Sequence, residues 1–193
     1  MFENHDVPRL PTRYGGGEDG LRRARAAALL LLALPGAAFL YAGQELGLEE
    51  VELEDAYRQD PIFARTGGER KGRDGCRVPF PWTAEGPGFG FTTGPAWLPM
   101  PGSFGPLSSE AQDADEASLL ALYRAALRLR RDLSGELRWR ELGPGALAFT
   151  RDSFLCVVNV EGRPCELPEG ELLLASEPLS GNGLPAGAAA WLR

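Results

Sequence analysis

Asn4, His5 and Asp6 are the first residues of this chain equipped for chemistry, and His5 is its only histidine. They lie within Glu3-Asn-His-Asp-Val-Pro8, which is closed by Arg9. An amide, an imidazole and a carboxylate side by side join hydrogen bonding to negative charge, a set suited to gripping a polyhydroxylated ligand. Taken alone, His5 and Asp6 could move a proton, hold a sugar, or cap a loop, and the pair itself does not choose. The cluster begins so close to Met1 that no strand or helix precedes it. The expectation is a chain forming the last part of something larger.

The elements that must position these residues fall into three textures. Residues 1–48 carry the cluster, a Gly15-Gly-Gly17 loop and an Ala/Leu-rich segment from Leu21 to Leu34 that reads as a helix. Pro35-Gly36 stops it. Ala37-Ala-Phe-Leu-Tyr41 then reads as a short strand buried on both faces. Residues 49–108 hold much Gly and Pro with several aromatic–proline sites, the composition of an ordered loop of functional length. Asp113 to Asp132 predicts the strongest helix, with Leu119, Leu122, Tyr123 and Ala126 on one stripe and acidic and basic ends matching the dipole. After Gly135 the period shortens, and six strands are expected at 136–141, 146–151, 154–160, 163–167, 171–175 and 189–192. The expected division is therefore 1–135 and 136–193, α/β followed by an all-β antiparallel sandwich.

Composition narrows the partners. The net charge of −7 over 193 residues disfavours a phosphate-backbone partner, so no nucleic acid is expected. Proline divides the uncharged run from Ala26 to Gly43, so no membrane partner is expected either. Cys76, Cys156 and Cys165 lack metal-ligand spacing and read as free thiols of a reducing cytoplasm. Cys156 and Cys165 could also pair across a hairpin. No leader-like opening is seen, and neither a metal nor a cofactor is expected.

Two further clusters extend the first. Leu34-Pro-Gly-Ala-Ala-Phe-Leu-Tyr-Ala-Gly-Gln-Glu-Leu-Gly47 and Gly72-Arg-Asp-Gly-Cys-Arg-Val-Pro-Phe-Pro-Trp82 follow Asn4-His-Asp6 in order. Together they resemble the C-terminal part of glycoside hydrolase family 13, the α-amylase family, in its exo-acting α-glucosidase and oligo-1,6-glucosidase branch. The resemblance implies the last part of a (β/α)8 TIM barrel, strands 7–8 with their helices, followed by a C-terminal β-sandwich. It places helix 20–34 seventh, Ala37–Tyr41 as the eighth strand and Asp113–Asp132 as the eighth helix.

By the same resemblance, Asp6 is the catalytic acid that stabilises the transition state. His5, Arg9 and Arg77 are substrate-binding, with Arg9 alternatively a charge partner, and Asn4 and Arg73 are further candidates. Arg77 serves either as a subsite contact or as a loop salt bridge, and Arg73 and Asp74 are alternatively a pair that braces the loop. Phe80 and Trp82 are expected in the loop core, with stacking on sugar faces as the alternative, and Glu45 as a structural acid rather than a catalytic one. The implied substrate is an α-glucoside oligosaccharide. Retaining hydrolysis needs a nucleophile and an acid/base carboxyl about 5–5.5 Å apart. The family carries both upstream of the matched segment, so the chain alone is expected to be inactive. Trehalose synthase-like transglucosylases, a carbohydrate-binding module and a truncated gene product are the alternatives.

Overall fold

In the computed structural model, which describes residues 1–193, the helices are α1 (Leu10–Arg13), α2 (Gly17–Ala33), α3 (Pro61–Arg65), α4 (Ser109–Asp113) and α5 (Leu119–Arg130). The strands are β1 (Arg138–Arg140), β2 (Ala146–Arg151), β3 (Phe154–Asn159), β4 (Cys165–Glu166), β5 (Leu172–Ala175), β6 (Gly183–Leu184) and β7 (Ala189–Leu192). Contacts divide the chain into two compact units that interleave along the sequence. One joins Met1–Gly16 to Leu40–Ala121, and the other joins Gly17–Phe39 to Leu122–Arg193. No helix is long and apolar enough to cross a membrane.

The first unit is mostly loop, and it is ordered by an apolar cluster rather than by ladders. Leu46, Leu48, Leu53, Val78, Leu98 and Phe104 are buried together, with Phe80 and Phe89 packed against them. Such a core lets a Gly- and Pro-rich segment hold one shape, because its buried side chains offset the entropy of ordering it. Gly43 lies at φ +92°, and a Cβ there would stand 2.6 Å from Leu48 Cδ1. Only glycine fits that turn.

Three expected elements differ from the structure. Ala37–Tyr41 forms no strand, and Phe39 and Leu40 are 64% and 38% exposed. A strand is held by at least one paired neighbour, and this segment pairs with none. The helix expected over 113–132 starts later, as α5 at Leu119, and a separate short helix, α4, ends at Asp113. Ser108 caps α4 by accepting from Ala111 N at 3.2 Å, and Ser118 Oγ accepts from Ala121 N at 3.1 Å to start α5. Between them Gln112 is buried, donating to Leu46 O at 2.8 Å and accepting from Leu120 N at 3.1 Å. The acidic residues Asp115 and Glu116 thus lie in the turn before α5, not within a helix.

The expected sandwich is a five-stranded antiparallel sheet, ordered β1-β2-β3-β7-β5, with a separate β4-β6 ribbon. Its register pairs Val157 with both Ala148 and Ala190, and Cys156 with both Phe149 and Trp191. Alternation then sends Ala148, Val157, Ala190 and Leu192 to one face, where Leu167 and Leu184 cover them. On the other face Trp191 is fully buried and donates from Nε1 to Leu29 O of α2 at 3.2 Å. Strand β3 is consequently covered on both sides, which is why Leu-Cys-Val-Val runs apolar without alternation. The last carbonyls of α2 lack helical partners. Arg151 donates to Ala33 O at 3.1 Å, and Arg130 donates to Leu32 O and, at 2.8 Å, to Leu34 O. Two cations at this end also complement the helix dipole.

Trp191→Ala is expected to destabilise the sheet-bearing unit by about 3–5 kcal/mol, the usual loss for a buried aromatic. Urea unfolding followed by far-ultraviolet circular dichroism measures it. A loss below about 1 kcal/mol would contradict the place of Trp191 between sheet and helix.

Candidate functional site

Asp6 is exposed at the tip of the N-terminal loop, and its position is built by short-range chemistry first. Asn4 Oδ1 accepts from Asp6 N at 2.7 Å, a turn in which the side chain replaces a backbone acceptor. Glu3, fully buried, accepts from Leu10 N at 2.8 Å and so ties the loop to the start of α1. Burial raises the Glu3 pKa, opposed by the Arg9 charge and the Leu10 N–H.

The long loop then reaches the Asp6 carboxylate with two guanidinium groups. Arg73 Nη1 donates to Asp6 Oδ1 at 2.7 Å, and Arg77 Nη2 donates to the same oxygen at 3.3 Å. Arg77 Nε donates to His5 O at 2.9 Å, fixing the backbone of the loop as well. His5 Nε2 lies 3.4 Å from Asp6 Oδ2. Hydrogen bonding from Arg73 is the main reason that the Asp6 carboxyl is held below its ordinary range, with His5 and the arginine charges adding to it.

Arg73 is itself positioned by Asp60, a residue absent from the expected site. Asp60 is buried, caps α3 by accepting from Ile62 N at 3.1 Å, and accepts from Arg73 Nε at 2.5 Å and Arg73 N at 3.1 Å. The Arg73 hydrogen bond holds its carboxyl far below the usual value, and the same bond raises the Arg73 pKa. Gly72, at φ +79°, passes so close that a Cβ would stand 2.7 Å from Asp60 Cβ. The Asp60-Pro61 dipeptide carries a readable signal for its capping role. Its grip on Arg73, thirteen residues on, has no such signal.

The remaining expectations separate. Asp6, His5, Arg73, Arg77 and Asn4 come together on one face of the first unit. Arg9 is not on it. Its side chain is 4% exposed, donating to Ala42 O at 2.7 Å, lying 3.9 Å from Glu3 Oε2 and standing 4.5 Å over the Tyr41 ring. Burial leaves it to hold the 40–50 segment rather than to touch a ligand. Arg73 and Asp74 do not brace one another, since Asp74 Oδ2 accepts from Gln59 N at 2.7 Å and Asp60 N at 2.8 Å. Glu45 accepts from Gly43 N at 2.9 Å, a structural contact. Phe80 joins the loop core as expected, but Trp82 is 54% exposed, packed on Phe80 at 4.6 Å. No two of the three cysteines form a disulfide, and burial pushes the Cys76 thiol up to about 11.

This face of charge-held carboxylate and guanidinium groups sits within a segment that defines a class. The α-amylase catalytic-domain model matches residues 1–137, and the chain belongs to the alpha-amylase family of glycoside-acting enzymes. It is 36% identical over 193 residues to a "Probable alpha-glucosidase" of Rhizobium meliloti, covering 94% of this chain and 34% of that protein. It is 32% identical over 148 residues to a "Trehalose-6-phosphate hydrolase" of Bacillus subtilis, covering 66% of this chain and 26% of that protein. Among solved structures it resembles the alpha-glucosyl transfer enzyme XgtA, with a TM-score of 0.79 and 35% identity over 99% of this chain and 39% of that one. The chain spans about a quarter to a third of the length of these curated relatives.

Replacing Arg73 by Met is expected to raise the Asp6 pKa toward the ordinary aspartate value of 3.8. Carbon-detected NMR titration of the carboxyl groups reads this directly, and an unmoved Asp6 would refute the assigned cause. Asp60 gives a separate pH signature. A carboxyl depressed in the folded state contributes stability that is complete above 3.8 and is lost as pH falls toward its depressed value. Asp60→Asn should therefore lower stability at neutral pH and flatten the loss below pH 3.8, as measured by thermal melts across pH. Parallel wild-type and variant acid limbs would contradict this.

Proposed function

We propose that this chain is the C-terminal portion of a retaining enzyme that acts on terminal α-glucosyl residues of oligosaccharides. The observation that carries the reading is the exposed Asp6 carboxylate, kept ionised by Arg73 and Arg77 with His5 beside it. In such an enzyme Asp6 hydrogen-bonds the hydroxyls of the reacting glucose and faces the positive charge that develops on the ring. A carboxylate that is already ionised needs no reorganisation at that moment. His5 binds the same hydroxyls, and Arg77 orders the loop and presents donors to the sugar. Arg73 has a positioning role, because two carboxylates already occupy its donors.

Under this reading residues 1–135 close the barrel of the longer enzyme and residues 136–193 form its C-terminal β domain. The nucleophile and the acid/base carboxyl come from earlier strands, so this chain alone does not cleave glycosides. A cytoplasmic setting fits its buried thiols at Cys76 and Cys156. Likeness to an alpha-glucosyl transfer enzyme favours transfer to a sugar acceptor as the second reading. That reading uses the same face and differs only in what resolves the glucosyl intermediate.

Incubation of the purified chain with p-nitrophenyl α-glucoside is expected to release no p-nitrophenol above the uncatalysed rate. Turnover at rates ordinary for enzymes would overturn the division of labour proposed here. Saturable sugar binding by the chain without turnover would favour a carbohydrate-binding module instead.

A further inference from the structure

Beside Asp6 lies a cleft of about 680 Å³ whose lining includes Arg65, Arg70, Lys71 and Arg73. Asp6 and Asp60 are the carboxylates among its walls, so the lining carries a net charge of two positive in a chain of net charge −7. Asp6 and Asp60 are both taken up by Arg73, and Lys71 is paired with Glu52 outside the cleft. Arg65 and Arg70 have no acidic partner, and both are exposed. A place at the end of α3 would suit Arg65 through the helix dipole, but α3 has five residues and Arg70 lies beyond it.

The loop is shaped to bring these cations together. Gly67 and Gly68 adopt φ +60° and +90°, and Gly68 N donates to Phe63 O at 2.9 Å, so the chain reverses after α3. Thr66 Oγ1 then accepts from Arg70 N at 3.1 Å. The reversal returns Arg70 and Lys71 to the wall that holds Arg65. Neutral sugar hydroxyls do not call for two uncompensated guanidinium groups. A phosphate group does, because planar donor forks match its oxygens and its charge.

We propose that the Arg65–Arg70 cleft binds a phosphate group, either as the free ion or as the ester of a glucoside seated against Asp6. The cleft alone supports the phosphate site, whereas the esterified form rests also on the glucoside reading of the adjoining face. Expected contacts are from Arg65 and Arg70 to the phosphate oxygens, with Lys71 adding charge.

The test titrates the full 193-residue chain with inorganic phosphate, glucose 6-phosphate and glucose in parallel, by calorimetry at low ionic strength. Saturable phosphate binding is expected, weakened roughly tenfold in the Arg65→Gln/Arg70→Gln double variant. Circular dichroism verifies the fold of the variant, and each single variant repeats the comparison. No saturable phosphate binding, or equal binding by wild type and double variant, overturns the proposal. Glucose 6-phosphate binding more tightly than phosphate supports the ester. Equal binding supports the free ion and counts against the glucoside reading alone, and turnover enters neither result.

Discussion

The guanidinium group of Arg73 is shared between a buried carboxylate, Asp60, and an exposed one, Asp6, and the candidate site depends on that sharing. Asp60 is fixed by its capping bond to α3 and by the close passage of Gly72. Its charge can stay buried only because Arg73 answers it, and Arg73 in turn delivers a second set of donors to the surface. A carboxylate on a short N-terminal loop is thereby held by a residue 67 positions further along the chain. Arg77 adds a second hold through the backbone of His5. The placement of Asp6 is in this sense a property of the 49–108 segment as much as of the loop that carries it.

The sheet-bearing unit solves a different problem. Its central strand is apolar on both sides, so each face of the sheet needs a cover. Helix α2 supplies one through Leu29 and Trp191, and the segments around Leu167 and Leu184 supply the other. The carbonyl end of α2 would be costly to bury unpaired, and the two arginines that meet it come from α5 and β2. Burial of Arg130, with the like charge of Arg151 as a lesser cause, lowers its pKa, the mark of a cation held for its hydrogen bonds.

Legibility in the sequence followed the range of the forces involved. Strands β2, β3 and β7 were readable because period and turn residues are local, and β7 falls where it was expected. The grouping of Asn4, His5, Asp6 and Arg77 was reachable only through the resemblance to the family. What was not readable depends on distant partners. The strand expected at 37–41 requires neighbours that would pair its edges. The late start of α5 turns on Ser118, whose cap is a local signal, and on Gln112 reaching Leu46, a contact with no local signature. Arg9 looked like a site residue from its sequence neighbours, yet Tyr41 and Ala42 draw it inward.

The proposed function rests on one central claim, that the Asp6 carboxylate stabilises charge on a reacting glucose. The most direct measurement exchanges the matching third of the Rhizobium meliloti probable alpha-glucosidase for this chain, with Asp6 or Asn at position 6. The account expects the Asp6 chimera to hydrolyse p-nitrophenyl α-glucoside and Asp6→Asn to lower kcat by about 100-fold or more, as loss of a preorganised electrostatic partner does. A folded chimera that keeps full kcat with Asn at this position would contradict it.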